Sequence, residues 1–340
     1  MEFIGLDIGS QNIKLVQLKR IGEQYSIVAL GLSPSPKNME SEAEADLLAQ
    51  AEAIKKLVNV TKVSTPYVVS ALPEDKVFTQ IVEFPPMEEK EMESAIKWEA
   101  EQYIPIPLSE AVIDYQIIRS PQKIVIGGKT EVFLVAAPKS MIEKYSKVLQ
   151  MAELKTIALE TEMVALSRSL VLPGSGPTMI VDLGARATDI SLVENNQIVL
   201  TRSLPSAGEA ITRSLVAALG LKQTQAEEYK KAYGVDESKL EGKIREAVGP
   251  VLDIVIREIN KVISFYQNKN KSAKVERVVL AGGTADLPQI VSLFAEKLGI
   301  EVEIGAPFER VQRGEEILAK LEKGTAPLYS VAFGLAMKTL

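Results

Sequence analysis

The chain has 340 residues, 46% hydrophobic, 25% charged and 5% aromatic, with a formal net charge of −6, an ordinary globular composition long enough for two lobes rather than one core. It has no cysteine and no histidine, which excludes disulfides, thiolate nucleophiles, Cys- or His-ligated metals and Ser-His-Asp chemistry; a bound metal is expected to be an oxygen-ligated Mg²⁺, and proton transfer falls to Asp, Glu, Lys or Tyr. Lys and Arg are dispersed with no patch for nucleic acid, and no apolar run reaches about 18 residues, so the chain reads as a soluble protein suited to a reducing cytoplasm.

The N-terminus enters a strand at once. Ile4 to Ile8 is apolar apart from Asp7, Gly9-Ser10-Gln11-Asn12 is a turn, and Ile13 to Leu18 leaves as a second strand. Gly9 lets backbone N–H groups approach a phosphate, and Ser10, Gln11 and Asn12 add donors. Asp7 at the strand end can hold a hydrated Mg²⁺, and Lys14 can reach back to a phosphate oxygen. Tyr25 to Leu32 is a third strand, closed by Ser33-Pro34-Ser35-Pro36. Glu42 to Val58 is a helix with Leu47, Leu48, Ala51, Ile54, Leu57 and Val58 on one face, and Tyr67 to Ala71 is a buried strand.

Near Val77 the pattern changes. Val77 to Phe84 is a strand ended by Pro85-Pro86, and Glu88 to Gln102 is a charged helix carrying Met92, Ala95, Ile96 and Trp98. The segment Tyr103-Ile104-Pro105-Ile106-Pro107 follows, then a strand (Ala111 to Arg119), a Gly127-Gly128 turn, a strand (Thr130 to Ala137) and a helix (Ser140 to Met151). This run can form its own small α+β unit, and the flanking segments read as one domain without it, so it is expected to be an insert.

Glu153 to Leu172 reads as a strand and a helix, and Pro173-Gly174-Ser175-Gly176-Pro177 marks a boundary. Beyond it the opening theme returns. Met179 to Asp189 is a strand ending in Asp182-Leu183-Gly184, followed by Ile190 to Val193; placing Asp182 on Asp7 puts Gly184 on Gly9. Two like lobes, each offering a hairpin to a shared cleft, are expected. Gly208 to Leu219, Thr224 to Tyr233 and Glu241 to Gln267 are helices, the last with Val248, Val251, Leu252, Val255, Ile259, Val262 and Ile263 as its stripe. Val275 to Ala281 is a strand ending in Gly282-Gly283-Thr284, where paired glycines let a flat ring lie against backbone, and Leu328 to Met337 is a small-residue helix.

Three pieces in this order, Asp7-Ile8-Gly9-Ser10, Asp182-Leu183-Gly184 and Ala281-Gly282-Gly283-Thr284, resemble the first phosphate, second phosphate and adenosine motifs of the actin-like ATPase superfamily. The inserted unit resembles the extra subdomain of FtsA and of the PilM family of type IV pilus assembly proteins. The run Glu101 to Leu108 followed by Asp114-Tyr115-Gln116, and the set Glu162, Ala165, Leu166 and Arg168, are similar to PilM-family motifs, and the end at Lys338-Thr339-Leu340 lacks the basic amphipathic helix usual in FtsA. The resemblance implies an α/β, two-lobed, actin-like (ribonuclease H-like duplicated) fold. Residues 1–76 and 153–177, with 326–340 returning, would form the first lobe and 77–152 the inserted subdomain. Residues 178–208 and 272–325 would form the second lobe, and 209–271 a helical subdomain.

The resemblance also implies roles. ATP and Mg²⁺ would occupy the cleft, with Asp7 and Asp182 holding the metal through water; Gly9, Ser10, Gln11, Asn12 and Lys14 would grip phosphate with Gly184, Ala185 and Arg186. Gly282, Gly283 and Thr284 would form the adenosine floor. Glu227 and Lys230 would touch ribose and adenine, although Glu228 and Lys231 could serve, and Glu162 would orient the attacking water, with Glu160 as a competitor. Ala185-Arg186-Ala187 departs from the Gly-Gly of many relatives, so Arg186 could clamp the γ-phosphate or pair with a carboxylate, and ATP binding with weak or no hydrolysis is expected. The implied partner is the cytoplasmic N-terminal tail of a PilN-like inner-membrane protein, received between the first lobe and the insert near Met92, Ile96, Trp98 and Tyr103 to Pro107. Pilus assembly ATPases and self-association are further implied contacts, with no nucleic acid, no direct membrane insertion and a peripheral place on the cytoplasmic face of the inner membrane. The competing expectations are a small-molecule kinase of the same superfamily and an FtsA-like filament protein.

Overall fold

Alternating and fully apolar strand segments build three sheets in the computed structural model, which describes residues 1–22, 24–36, 39–87, 89–120, 128–269, 273–309, 311–312 and 325–339. The first lobe is a six-stranded sheet. The strands β1 (Ile4–Ile8), β2 (Asn12–Ile21) and β3 (Gln24–Pro34) run antiparallel, and β4 (Tyr67–Leu72) and β8 (Lys155–Thr161) continue the sheet in parallel from β1. Helix α1 (Glu44–Thr61) covers it through Leu47, Ala51, Ile54 and Leu57.

The second lobe repeats that plan. The strands β9 (Thr178–Leu183), β10 (Thr188–Glu194) and β11 (Gln197–Leu204) run antiparallel, and β12 (Arg277–Ala281) and β13 (Glu301–Ile304) extend the sheet in parallel. The strand orders match position for position, β3-β2-β1-β4-β8 against β11-β10-β9-β12-β13. A short strand β14 (Val311–Gln312) returns to pair with β3. Helices α5 (Gly208–Leu219), α6 (Gln223–Tyr233), α7 (Lys243–Lys269) and α8 (Ile290–Leu298) pack their apolar faces on this sheet and on one another. Helix α7 starts later than the sequence suggests because Glu241 and Gly242 have left-handed φ of 57° and 73°.

Between β4 and β8 lies the insert. The strands β5 (Phe78–Phe84), β6 (Ala111–Arg119) and β7 (Thr130–Pro138) form an antiparallel sheet of order β5-β7-β6, covered by α2 (Glu89–Tyr103), and α3 (Lys139–Met151) leads back to the first lobe. Met92 and Ile96 belong to its core, so they do not line a surface groove, whereas Trp98 is 70% exposed and Tyr103 is exposed as well. Glu88, Gly127, Asn270, Lys271 and Leu340, which the sequence reading places in a helix start, turns and the terminus, lie outside the described residues.

Two helices join the halves. Helix α4 (Glu162–Leu170) follows β8 directly, capped by the Thr161 hydroxyl, which accepts from the Val164 N–H at 3.3 Å. Helix α9 (Ser330–Ala336), entered through a 3₁₀ turn (Ala326–Tyr329), is buried along its whole length between α4 and β1. The contact is backbone to backbone: a Cβ on Gly334 would lie 1.8 Å from the Ala165 carbonyl oxygen, and one on Gly5 of β1 would lie 2.3 Å from that of Ala332. The Arg168 guanidinium reinforces it by donating to the Gly334 carbonyl and to both Glu160 oxygens at 3.0 Å.

Candidate nucleotide cleft

The two hairpins share one turn geometry. In the first, the Gly9 N–H donates to the Asn12 carbonyl at 3.0 Å; in the second, the Gly184 N–H donates to the Ala187 carbonyl at 3.1 Å. A Cβ at Gly184 would come within 2.8 Å of the Ala187 carbonyl oxygen, so the second turn needs glycine, whereas at Gly9 it would meet the end of the Lys14 side chain at 2.7 Å and the Asn12 carbonyl oxygen at 3.0 Å, a tight fit that Lys14 can relieve in part. Strand register then sets the charges: Asp7 stands opposite Lys14, and Asp182 opposite Asp189. Lys14 Nζ donates to Asp7 Oδ2 at 2.8 Å.

A third segment closes on the second hairpin. Gly282, at φ +81°, lies so close to Asp182 that a Cβ would sit 2.2 Å from its Oδ1, and the Thr284 N–H and hydroxyl donate to the carbonyls of Leu183 and Gly184 at 3.0 and 3.1 Å. The N-terminus of α5 docks on the same turn, Gly208 and Glu209 donating their N–H groups to the Gly184 and Ala185 carbonyls.

All of these surround one cavity of about 1100 Å³ between the lobes. Asp7, Gly9, Ser10, Gln11, Asn12 and Lys14 line its first-lobe wall with Glu162. Asp182, Gly184, Ala185, Arg186, Glu227, Lys230, Gly282, Gly283 and Thr284 line the facing wall. The structure therefore brings every site residue read from the sequence into one space, and it separates Glu162 from Glu160, whereas Lys230 and Lys231 both line the cavity. Glu162 opens onto the cavity and accepts the Glu74 N–H at 3.2 Å, while Glu160 is bound to Arg168 and to Lys338 on the far side of α4.

At the other end, Glu227 accepts from the Thr212 hydroxyl and pairs with Lys230, both at 2.7 Å. The Lys230 ammonium is buried and also donates to the Gly208 carbonyl and the Thr212 hydroxyl, so its three N–H groups brace α6 against α5. Lys231 lines the same end with an exposed ammonium 3.5 Å from Glu227. Arg186 pairs with Glu40 of the first lobe at 2.6 Å and with Glu209 at 3.6 Å, the carboxylate alternative of the sequence reading.

Asp189, given no site role in the sequence reading, is 5% exposed and lines the cavity, and its Oδ1 has no hydrogen-bond partner. The spacing that places Asp182 on Asp7 places Asp189 on Lys14, a signal present in the sequence. Burial, then the neighbouring charge of Asp7, pushes Asp182 up to about 6. Burial likewise pushes Glu162 and Asp189 well above the carboxylate range, aided by the acidic neighbours Asp7 and Asp182. Lys14 is the ammonium set among these carboxylates, and its pKa is raised by Asp7, Asp182 and Glu162 against the effect of burial. A site with this excess of buried negative charge and a partnerless carboxylate oxygen suits a cation with oxygen ligands. Among the described residues no three acidic side chains converge into a protein-only metal site.

The family model for type IV pilus assembly protein PilM matches residues 5–340. A solved PilM-PilN type IV pilus biogenesis complex is 28% identical with a TM-score of 0.84, over 99% of this chain and 98% of that one. Cell division protein FtsA of Streptococcus pneumoniae is 21% identical over 90% of this chain and 75% of its own length. MreB 5 of Spiroplasma citri, solved bound to AMPPNP, is 15% identical with a TM-score of 0.51 over 98% of this chain and 94% of that one, and so shares the fold.

Proposed function

The chain belongs to the PilM family of type IV pilus assembly proteins, and from that premise we propose that it is an ATP-binding adaptor that takes hold of the cytoplasmic N-terminal tail of a PilN-like membrane protein. The observation that carries the nucleotide half is the pair of superposable hairpins facing each other across one cavity with the Gly282-Gly283-Thr284 segment against the second. The partner half draws on the similarity to the PilM-PilN complex. No described helix is long and apolar enough to cross a membrane, so a protein partner is the means proposed for bringing the chain to the inner membrane's cytoplasmic face.

In this reading Asp7 and Asp182 would hold a hydrated Mg²⁺, which would supply charge to offset the carboxylates and the phosphates together. Lys14, tethered by Asp7, reaches the phosphate that the Gly9 turn and the Gly184 turn enclose. Gly282 to Thr284 support the base, and Glu227, held by Thr212 and Lys230, presents a carboxylate to ribose hydroxyls. Lys230 is a strut for that carboxylate, and Lys231 is the cation left to meet the ligand's edge. Glu162 is the carboxylate placed to orient water, and hydrolysis is slow because Arg186 is engaged with Glu40 rather than with phosphate. The division into lobes is part of the same proposal, with two bounds moved from those read in the sequence: α3 packs in the first-lobe core, so the insert is 77–138 rather than 77–152, and β14 is already in the first-lobe sheet, so the second lobe is 178–208 with 272–309 rather than 272–325, the helical subdomain remaining 209–271.

A fluorescent ATP analogue titrated with Mg²⁺ tests the nucleotide half. Saturable binding displaced by ATP, and weakened at least tenfold by Asp182→Asn, is expected. No binding by the wild type contradicts the reading.

A further inference from the structure

The root of the insert carries a carboxylate that the nucleotide grip does not use. Glu74 opens a single 3₁₀ turn (Glu74–Lys76) between β4 and β5 and is 4% exposed. Its main-chain N–H donates to Glu162 Oε2 at 3.2 Å. Its own carboxylate also lies at the start of α4, within the influence of the Met163 N–H and the Thr161 hydroxyl, but neither of its oxygens closes a full hydrogen bond. Burial pushes Glu74 up to about 7. A buried carboxylate held this loosely is costly for the fold, and an apolar residue of similar size would serve packing better. What the arrangement does achieve is mutual: the turn holds the side chain of Glu162, and the positive end of the helix that begins at Glu162 faces the side chain of the turn.

We infer that Glu74 is a positioning residue for Glu162, its N–H aiming the Glu162 carboxylate into the cleft and its side chain seating the turn on α4, so that the root of the insert and the water-orienting group move as one. The inference rests on the reading of the cleft as an ATP site. In that site Glu162 takes the proton of a water whose oxygen bonds the γ-phosphorus as the bond to the β–γ bridging oxygen breaks, leaving ADP and inorganic phosphate. Only the ionised carboxylate can do this. Burial and the charges of Asp7, Asp189 and Asp182 favour its protonation, and the Glu74 N–H and the Lys14 ammonium act in the opposite direction.

Two full-length variants separate the N–H from the carboxylate. Glu74→Ala removes the carboxylate alone, and Glu74→Pro removes both. Proline is accommodated because position 74 is the first of its turn and Pro73 already has the extended backbone (ψ 135°) that a following proline requires. Both variants are expected to bind the ATP analogue within about twofold of wild type. Single-turnover hydrolysis at pH 7 is expected to be at least tenfold slower in Glu74→Pro than in Glu74→Ala, with its rate–pH profile moved to higher pH. Equal rates and profiles overturn the inference, as does wild-type hydrolysis no faster than that of free MgATP. A second measurement reads the contact without the proline variant: the Glu74 amide should exchange with deuterium at least tenfold faster in Glu162→Ala than in wild type, and equal exchange overturns the inference. A wild type that binds no ATP would instead defeat the reading of the cleft, while the exchange result would still report on the Glu74 contact.

Discussion

Asp182 shares the cleft with Asp7, Glu162 and Asp189, within electrostatic reach of them, with Lys14 the ammonium among them. With its carboxyl pushed up to about 6 by burial and by Asp7, the folded state without ligand binds a proton more tightly than the unfolded chain. The cost is fully present above about pH 6, declines between about 6 and 4, and is gone once the unfolded carboxyl is protonated too. Asp182→Asn should therefore stabilise the ligand-free protein by about 1–3 kcal/mol at pH 8 and have little effect near pH 4. Urea unfolding at the two pH values measures this, and an equal effect at both would contradict it. The same substitution is expected to weaken Mg²⁺-dependent nucleotide binding, so this residue exchanges stability for function. At this scale the backbone-defined members of the site were legible, because D-x-G turns and a Gly pair mark places where backbone must approach closely. The side-chain partnerships were not. Glu160 and Glu162 have the same chemistry two residues apart, and only the packing of α4 on α9 commits Glu160 to Arg168 and Lys338. The burial of Lys230 depends on α5, which its local sequence does not show.

Among the elements, α9 has the tightest seat. It lies against β1, whose end carries Asp7, and against α4, whose first residue is Glu162, so it backs both first-lobe functional groups. Gly334→Ala would drive a Cβ into the Ala165 carbonyl; with backbone on both sides, relief requires a helix shift, and a loss of about 1–3 kcal/mol is expected. Thermal or urea unfolding checks it, and an unchanged midpoint would contradict the backbone contact. The long helices and the insert were readable from periodicity and from the change in pattern near Val77. Strand β11 was missed despite its signal, since Asn195 and Asn196, both at positive φ, form the two-residue turn that a β10–β11 hairpin needs. Helix α8 and strand β13 are short, and their apolar residues carry too little period to declare themselves before the sheet that buries them is known.

As a whole molecule the chain joins a duplicated core to an insert that touches both lobes. Lys269 at the end of α7 pairs with Glu83 and Glu131 of the insert at 3.1 and 3.0 Å. Arg119 reaches Glu194 of the second lobe at 3.6 Å, and Thr79 bonds Thr201. These exposed pairs add little stability, but they place the insert where a change in the angle between the lobes would strain it. With Glu74 and Glu162 at its root, the insert is expected to respond to the occupant of the cleft, and a ligand of one to alter affinity for a ligand of the other. The doubling of the lobes was legible because the turn motifs repeat; the contacts of the insert with the second lobe were not, being made by surface charges far apart in sequence. The most direct test of the adaptor account is a fluorescence-anisotropy titration of a labelled peptide copying a PilN-like cytoplasmic N-terminus, with and without MgATP. The account predicts saturable binding whose affinity changes at least threefold with nucleotide; no saturable binding in either state would contradict it.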